Sequence, residues 1–322
     1  MPYRSILILG GTGFIGSHII AKLADSGCLV TVATRRRAHA EHLLPLPVVD
    51  EVIEADIHDD VALNELVRGK NAVINLVGIL HGRRAAEGEA YGPDFARAHV
   101  QLPKRIVAAC AAHGVHRYLH MSALGADRNG PSMYQRSKAD GEAAAFSNPA
   151  VATTVFRPSV VFGDQDHFLN LFASLQKMLP FMLLARADAK FQPVFVEDVA
   201  QAFVNALYDD NTIGKTYELA GPKVYTLREL VQLAGTFSGH RRPVIALPDT
   251  LARVQAFFLE HMPGEPVMTQ DNLDSMRVDN VAHSSMEEEL GITPTALEAI
   301  APYYLTGQRH PHSGVDAVHV RH

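Results

Sequence analysis

The chain has 322 residues, of which 47% are hydrophobic and 20% charged, and it carries a formal net charge of −6 at pH 7. This composition is typical of a soluble globular protein, and the length allows one large domain or a domain with an appendage. The negative charge argues against nucleic-acid binding through bulk positive charge, and no apolar run is long enough to span a bilayer.

Short β-branched runs alternate with helix-length segments in the first half of the chain. The run SILILG precedes the helical pattern FIGSHIIAKLADSG, and the runs CLVTVAT, VDEVIEA, NAVINLVG, RYLHMS and ATTVFRP follow in the same alternation. Nearly continuous apolar strands separated by helices are typical of a parallel sheet that helices cover on both faces. The sequence therefore predicts an α/β fold, a doubly wound parallel sheet of the Rossmann type, with ligands at the carboxyl ends of its strands.

This alternation ends after Pro158. We predict a dinucleotide-binding domain over residues 1–160, to which segments near 190–221 return, and a smaller, discontinuous substrate lobe over residues 161–306. In that lobe HFLNLFASLQKMLPFMLLA is predicted as one or two apolar helices, and the capping box of Thr226 and Glu229 predicts a helix start. The tail 307–322 lacks periodicity and is predicted to be disordered. No Cys or carboxylate cluster supports its four histidines, so no metal site is predicted.

A glycine-rich loop joins the first predicted strand to the first helix. Gly10, Gly13 and Gly16 have the spacing of a dinucleotide-binding loop. There the first glycine allows a tight turn, the second admits a pyrophosphate and the third lets the helix pack on the strand. A glycine-rich turn without a ligand is the alternative, but the position between strand and helix favours binding at the helix N-terminus. The same loop contributes Thr12, Phe14 and Ile15 to the predicted site.

The end of the second predicted strand bears on the choice of dinucleotide. An NAD site has Asp or Glu there, whereas this strand ends in TVATRRR, with Arg35 first among three arginines. A guanidinium suits a 2′-phosphate, so the sequence favours NADP(H), with NAD(H) or a merely solvated basic loop as alternatives. Later strand ends place further residues along the predicted cofactor, namely Asp56, Ile57, Val77 and Gly78.

A tyrosine and a lysine share one face of a later predicted helix. Tyr134 and Lys138 stand at positions i and i+4, and Ser122 ends the preceding strand. A lysine beside a phenol is expected to lower the tyrosine pKa, so that tyrosine can exchange a proton with a substrate oxygen that serine orients. Lysine can also hold the nicotinamide ribose. Ordinary helix packing also produces such pairs, but the glycine loop and the upstream serine favour a catalytic set.

Several motifs together resemble the short-chain dehydrogenase/reductase superfamily in its extended or atypical branch, of the epimerase/dehydratase type. These are GGTGFIG, YQRSK and FRPSVVFG. More narrowly, YQRSKADGE, RPSVVFGDQDHFLN, FQPVFVEDVA and YELAGPKVYTLREL resemble the branch that contains the nucleotide-binding accessory subunit of mitochondrial respiratory complex I and its bacterial relatives. The resemblance runs from about Ile6 to Leu305 and therefore covers nearly the whole chain.

The resemblance implies roles for individual residues. The three loop glycines would bind pyrophosphate, and Arg35 with Asp56 would bind the adenosine half. Ser122, Tyr134 and Lys138 match the catalytic serine, tyrosine and lysine, with Tyr134 and Lys138 also touching the cofactor, and Pro158 and Ser159 would lie by the nicotinamide. One departure is His99, which stands where many catalytic members have asparagine. This departure and the short spacing from Ser122 to Tyr134 argue against a sugar-nucleotide substrate.

Two functions remain open. The chain is expected to be an NADP-dependent oxidoreductase that acts on a small or lipophilic carbonyl or hydroxyl. Alternatively it is a non-catalytic dinucleotide-binding accessory or assembly factor for respiratory complex I or quinone metabolism. The apolar run FLNLFASLQKMLPFMLL fits a partner surface as well as a helix that lines the substrate lobe.

The partner and location predictions follow from the same features. The expected partners are a small-molecule substrate or quinone-related lipid and a respiratory-complex or membrane-peripheral partner, with no nucleic acid and no transmembrane segment. The first predicted strand begins by Ser5, which leaves no room for a secretory signal, so we expect a cytoplasmic protein that is free or peripheral to the inner membrane.

Overall fold

The computed structural model describes residues 3–261, 266 and 268–306, so the predicted tail 307–322 lies outside the described residues. Its strands are β1 (Ser5–Leu9), β2 (Leu29–Thr34), β3 (Val49–Glu54), β4 (Ala72–Asn75), β5 (Arg117–Met121), β6 (Ala152–Pro158), β7 (Val161–Phe162), β8 (Met182–Leu184), β9 (Lys190–Phe191), β10 (Val194–Phe195), β11 (Thr216–Leu219), β12 (Tyr225–Thr226) and β13 (Val244–Ala246). Seven of them form one parallel sheet in the order β11-β6-β5-β4-β1-β2-β3. The predicted doubly wound parallel sheet is confirmed.

Helices cover both faces of this sheet. The α-helices of the described residues, in the sheet domain and the lobe together, are α1 (Phe14–Leu23), α2 (Asp60–Val67), α3 (Pro93–Phe95), α4 (Leu102–His113), α5 (Met133–Ala145), α6 (Leu169–Met178), α7 (Val196–Tyr208), α8 (Leu227–Phe237), α9 (Asp249–Glu260), α10 (Gln270–Ser275), α11 (Met286–Leu290) and α12 (Leu297–Leu305). In β1, Ile6 and Ile8 join the core under α1 and α7, while Leu7 and Leu9 join the core under α2 and α4. Because both faces are covered, the strand is apolar at every one of these positions.

The direction of strand order reverses between β1 and β4, which both pair in parallel. In open α/β sheets this point forms a crevice at the carboxyl edge, where ligands bind. The glycine loop leaves β1 at this edge, and the segment after β4 leaves beside it. The fold therefore places the predicted cofactor residues around one crevice.

A smaller lobe stands over the carboxyl edge of the sheet. It contains three two-stranded pairs, β7 with β10, β9 with β12, and β8 with β13. Its own core lies between α6, α8 and α12. The chain returns from this lobe to the main sheet through α7, which packs beside α1, and through β11, the edge strand next to β6. The division into two domains at residue 160 stays a prediction.

Two sequence predictions for the lobe have different outcomes. The capping box of α8 is confirmed, since Glu229 N donates to Thr226 Oγ1 at 3.2 Å and Thr226 N donates to Glu229 Oε2 at 2.7 Å. The apolar segment is one helix and one strand instead of one or two helices. Helix α6 ends at Met178, and β8 begins two residues after Pro180, which has no N–H to continue a helix.

A fully buried arginine connects β5 to its neighbours. The guanidinium of Arg117 donates to the carbonyl oxygens of Ala152 at 2.8 Å and Ala206, and to Thr212 Oγ1 at 2.9 Å. Burial lowers the pKa of Arg117. The side chain therefore satisfies backbone acceptors at the C-terminal end of α7 and at the start of β6.

We expect Arg117→Met to lower the free energy of unfolding by about 2–4 kcal/mol, because it leaves buried acceptors without their donor. Urea unfolding followed by circular dichroism measures this loss. The matched control is Arg68→Met, which removes an exposed arginine paired with Glu65 and is expected to change stability by less than about 0.5 kcal/mol. Equal effects of the two substitutions would contradict the structural role of Arg117.

Candidate functional site

The glycine loop has the geometry that a bound pyrophosphate requires. Gly10 has φ of +81°, and a Cβ there would meet the backbone of Leu76 and Val77 at 3.3 Å. A Cβ on Gly16 would lie 2.6 Å from the carbonyl oxygens of Gly10 and Gly11. At Gly13 the nearest atom is Gly10 O at 3.3 Å, so this side of the loop is open. Close contacts with the protein's own backbone thus require glycine at positions 10 and 16, whereas the open side of Gly13 leaves space for a ligand.

The amino end of α1 points its N–H groups into this space. Gly13 is the N-cap in extended conformation, and no side chain caps the helix. The first-turn N–H groups therefore fit an anion such as a pyrophosphate. Around them Thr12 and Ile15 are half-buried, and the half-buried ring of Phe14 meets His18 edge-on at a centroid distance of 5.5 Å.

Charges of both signs lie at the predicted adenosine end. Arg35 follows β2 directly and is exposed. Asp56 is also exposed, accepts the N–H of His58 at 2.9 Å and lies 3.7 Å from Arg97 Nη2. Burial lowers the pKa of His58, and the charges of Arg97 and Arg35 add to that effect. Ile57 is half-buried against the core under α2. Arg35 is thus an exposed cation at the end of β2, and Asp56 is a carboxylate beside Arg97.

The segment after β4 connects the glycine loop to α5. Val77 N donates to the buried Asn75 Oδ1 at 3.1 Å. A Cβ on the next residue, Gly78, would lie 3.1 Å from Lys138 Nζ and 3.7 Å from His99 Nε2. The backbone that a Cβ on Gly10 would meet is therefore followed directly by Gly78, the residue beside Lys138.

His99 links this segment to the helix that carries Tyr134. It lies on a π-helical stretch, Ala96–Gln101, a local geometry that is frequent at functional sites. Its Nε2 accepts the N–H of Ile79 at 3.0 Å, and its Nδ1 lies 2.8 Å from Ser137 Oγ. Because Ser137 Oγ itself donates to Tyr134 O, Nδ1 must donate to it. Burial lowers the pKa of His99 to about 2, so the ring is neutral, and these hydrogen bonds place its single proton on Nδ1.

Lys138 and Tyr134 lie together, but the charges are not arranged as the sequence predicts. Lys138 Nζ is 5.8 Å from the Tyr134 ring centroid and donates to Met121 O at 3.2 Å. Burial lowers the pKa of Lys138 to about 8, although the carboxylate of Glu142 opposes that shift. Burial also raises the pKa of Tyr134, so the expected lowering by Lys138 is wrong for this arrangement. The phenol stays protonated at neutral pH.

Ser122 is buried and bonded away from the Tyr134 ring. Its Oγ donates to Glu142 Oε1 at 2.5 Å, and Arg157 binds the same carboxylate through Nε at 2.7 Å and Nη2 at 2.5 Å. Near the end of β6, Pro158 O accepts the N–H of Leu124, and Ser159 Oγ donates to Asn280 Oδ1 at 2.6 Å. Both serine hydroxyls are thus engaged within the protein.

A cavity of about 240 Å³ opens beside the amino end of α5. Asp271, from the lobe, accepts the N–H groups of Met133 at 2.6 Å and Tyr134 at 3.0 Å. The Phe95 ring lies 6.4 Å from the Tyr134 ring. Phe95, Met133 and Asp271 line the cavity together with His81, Arg84 and Arg136. The cavity therefore reaches the helix turn that carries Tyr134.

Sequence reasoning missed four residues of this site. They are Asp271, Glu142, Arg157 and His99, the last noted only as a departure from the family pattern. Over residues 3–261, 266 and 268–306, no group of three or more His, Cys, Asp or Glu side chains converges as metal ligands. The same part of the chain contains no helix with the length and apolar character that crossing a bilayer requires.

The low pKa of Lys138 makes stability depend on pH. The unfolded lysine titrates near 10.5 and the folded one near 8, so between these values the unfolded chain binds more protons and stability rises with pH. We expect the free energy of unfolding of the wild type to rise relative to that of Lys138→Met as pH increases from about 8 to 10.5. Urea unfolding of both proteins across this range measures the difference, and a difference independent of pH would contradict the buried ammonium.

The chain matches known proteins over most of its length. It is 30% identical over 306 residues to the NADH-ubiquinone oxidoreductase 40 kDa subunit, mitochondrial, of Neurospora crassa, covering 94% of this chain and 79% of the relative. It is 29% identical over 247 residues to the ceramide reductase of Caulobacter vibrioides, covering 76% of this chain and 74% of the relative.

A solved structure, MoeE5 in complex with UDP-glucose and NAD, superposes with a TM-score of 0.69 at 19% identity, covering 94% of this chain and 97% of that one. At this identity the likeness concerns the fold alone. The family described as NAD dependent epimerase/dehydratase matches residues 6–220, which is more than half of the chain. Together with the Rossmann sheet and the glycine loop at its switch point, this match shows that the chain belongs to the NAD dependent epimerase/dehydratase family.

Proposed function

We propose that the chain binds NADP(H) in preference to NAD(H) and reduces a small or lipophilic carbonyl, or oxidises the corresponding hydroxyl. The observation that carries this proposal is the continuous contact from the glycine loop to the Tyr134–Lys138 pair. Gly10 meets Leu76 and Val77, and Gly78 meets Lys138. A dinucleotide whose pyrophosphate lies at the loop thus has the Tyr134–Lys138 pair within reach of its other end.

Each cofactor contact in the proposal uses a group that the fold presents. The first-turn N–H groups of α1, from Gly13 onwards, hold the pyrophosphate. Arg35 binds the 2′-phosphate, Lys138 binds the nicotinamide ribose, and Pro158 with Ser159 flanks the nicotinamide ring. When bound, the nicotinamide supplies or accepts the hydride. The family description, which names NAD, and the relative whose name includes NADH support the dinucleotide, and the choice of NADP(H) depends on the arginines alone.

Tyr134 acts as the proton donor in this proposal. Because burial raises its pKa, the phenol keeps its proton at neutral pH and can give it to a carbonyl oxygen. Lys138 stays charged below about pH 8 and stabilises the phenolate that remains. Ser122 orients the substrate oxygen in this proposal. While its O–H donates to Glu142, its Oγ can accept a hydrogen bond from a substrate hydroxyl. To donate to a substrate carbonyl, the Ser122 O–H must first give up its bond to Glu142.

A second candidate is a non-catalytic accessory or assembly role in a respiratory NADH–ubiquinone oxidoreductase or in quinone metabolism. The 30% identity to the Neurospora crassa subunit over 94% of this chain favours it, and so does the bond that occupies Ser122. In this role the dinucleotide stabilises the fold, and the partner is a respiratory complex. For both candidates the proposed location is the cytoplasm, free or peripheral to the inner membrane.

Arg35→Asp is expected to reverse the cofactor preference. Loss of a charge-assisted bond to the 2′-phosphate weakens NADPH binding by about tenfold to 100-fold, and the new carboxylate favours the ribose 2′-hydroxyl of NADH. Isothermal titration calorimetry with both dinucleotides measures this. Arg68→Asp makes the same charge change at the far end of α2 and is expected to leave the preference unaltered. Tighter NADH binding by the wild type would overturn the NADP(H) assignment.

Tyr134→Phe separates chemistry from dinucleotide binding. The variant keeps the ring but lacks the proton donor, so carbonyl reduction is expected to fall by about 100-fold or more while NADPH affinity stays nearly unchanged. A screen of lipophilic carbonyls that follows NADPH absorbance measures turnover.

Gly13→Val is the companion variant, because its side chain fills the open side of the loop and abolishes dinucleotide binding in a folded protein. Both variants are then compared in a strain that lacks the wild-type gene, scored for growth and respiratory activity. A silent Tyr134→Phe beside a damaging Gly13→Val would reject the reductase and support the accessory role.

A further inference from the structure

Large apolar side chains are exposed on one side of the lobe. Met178 is 80% exposed and Phe258 65% exposed, and the others exceed 40%. We call this set the apolar lobe surface; it consists of Met178, Leu179, Phe181, Leu183, Ile245, Leu251, Val254, Phe257 and Phe258.

These residues form one continuous surface. Leu183 and Ile245 are register partners in the parallel pair β8–β13, and both side chains are exposed. Gln255 Nε2 donates to Leu183 O at 3.2 Å, which places α9 beside this strand pair. Leu251, Val254 and Phe258 lie on the same side of α9 as Gln255, at helical spacing. The surface thus runs from the end of α6 across β8 and β13 to α9.

Helix α9 is oriented opposite to an ordinary surface helix. Its buried residues are Ala252 and Ala256, which pack on Ala185 and Leu273. The phenylalanines at 257 and 258 lie in solvent instead of the core. A surface helix of a globular protein normally buries its largest apolar side chains, and exposed contiguous patches of this kind mark interaction sites.

Positive charges lie beside the strand-pair part of this surface. The segments 177–187 and 239–248 contain Lys177, Arg186, Arg241 and Arg242, although the whole chain has a net charge of −6. Asp188 and Asp249 follow these segments directly, and Asp249 pairs with Arg186 at 3.1 Å, so within the described residues the cations without a carboxylate partner here are Lys177, Arg241 and Arg242. Arg242 Nε donates to Gln176 O, which holds the second segment against the end of α6. Lys177 and Arg241 are exposed beside Met178 and the β8–β13 pair. A cationic border around exposed phenylalanine and leucine complements an anionic, apolar surface.

We propose that the apolar lobe surface docks on a lipid bilayer with anionic headgroups. Helix α9 lies in the plane of the interface with Leu251, Val254 and Phe258 among the acyl chains, and Lys177 and Arg241 contact the lipid phosphates. This surface would account for the location peripheral to the inner membrane that is proposed above. Docking does not depend on hydride transfer. Glu260, in the last turn of α9, lines the cavity beside α5, so this helix lies between the docking surface and that cavity.

The test is co-sedimentation of the full chain with vesicles of phosphatidylcholine alone and of phosphatidylcholine with phosphatidylglycerol. We expect binding to the anionic vesicles that weakens with salt and is at least about tenfold weaker on neutral vesicles. Phe257→Ser/Phe258→Ser and Lys177→Glu/Arg241→Glu are each expected to weaken binding by about tenfold or more. Val61→Ser, which removes a 73% exposed apolar side chain on α2, is the control and is expected to bind like the wild type.

Thermal unfolding with and without NADPH checks that each variant is folded and keeps its dinucleotide site, so loss of docking is distinguishable from failure of the proposed function. Failure of the wild type to bind anionic vesicles would overturn the proposal. So would equal weakening by Val61→Ser. A second copy of the chain is the alternative occupant. It would be assigned if light scattering showed that the wild type is a dimer and that the phenylalanine variant is a monomer, and if the wild type did not bind vesicles.

Discussion

The close approach of α1 to the glycine loop is the constraint on which the site depends. A Cβ at Gly16 would stand 2.6 Å from two carbonyl oxygens, so the helix can begin at this point only if residue 16 is glycine. This approach aims the free N–H groups of the first turn at the crevice beside β4. The loop backbone in turn touches the segment after β4, and that segment touches Lys138. One steric requirement therefore aligns the anion site with the tyrosine and lysine.

Buried ionisable groups around α5 are kept in fixed protonation states by their surroundings. His99 is neutral because burial lowers its pKa and because the charge of Lys138 lowers it further. The negative charge of Glu142 is paired with Arg157. The same carboxylate raises the pKa of Lys138 and so opposes the effect of burial on it. A buried charge is tolerated only with such partners. The result is one cation beside a protonated phenol and a neutral imidazole, which is a suitable setting for an anionic dinucleotide.

The sequence predicted the features that depend on local pattern. Strand alternation, the loop between β1 and α1, the capping box of Thr226 and the shared face of Tyr134 and Lys138 all follow from spacings of a few residues. The error at β8 arose because a short apolar run has no period that distinguishes helix from strand.

Long-range contacts escaped the sequence prediction because they depend on tertiary packing. Asp271 reaches the amino end of α5 across 137 residues, and His99 reaches Ser137 across 38. No spacing rule links such positions. The pKa of Tyr134 belongs to the same class, since burial, which the sequence does not give, outweighs a lysine one helical turn away. The contacts that surround Tyr134 and Lys138 were therefore outside the reach of local sequence pattern.

The lobe and the sheet are interleaved along the chain. β9 precedes the edge strand β11 in sequence, whereas its partner β12 follows it. No continuous stretch of polypeptide therefore contains one whole unit without part of the other. During synthesis the outer edge of β6 has no partner until Thr216–Leu219 have emerged, by which point much of the lobe has already been made. The two units consequently mature together, and separating them by truncation would expose a sheet edge in one fragment and divide the core of the other.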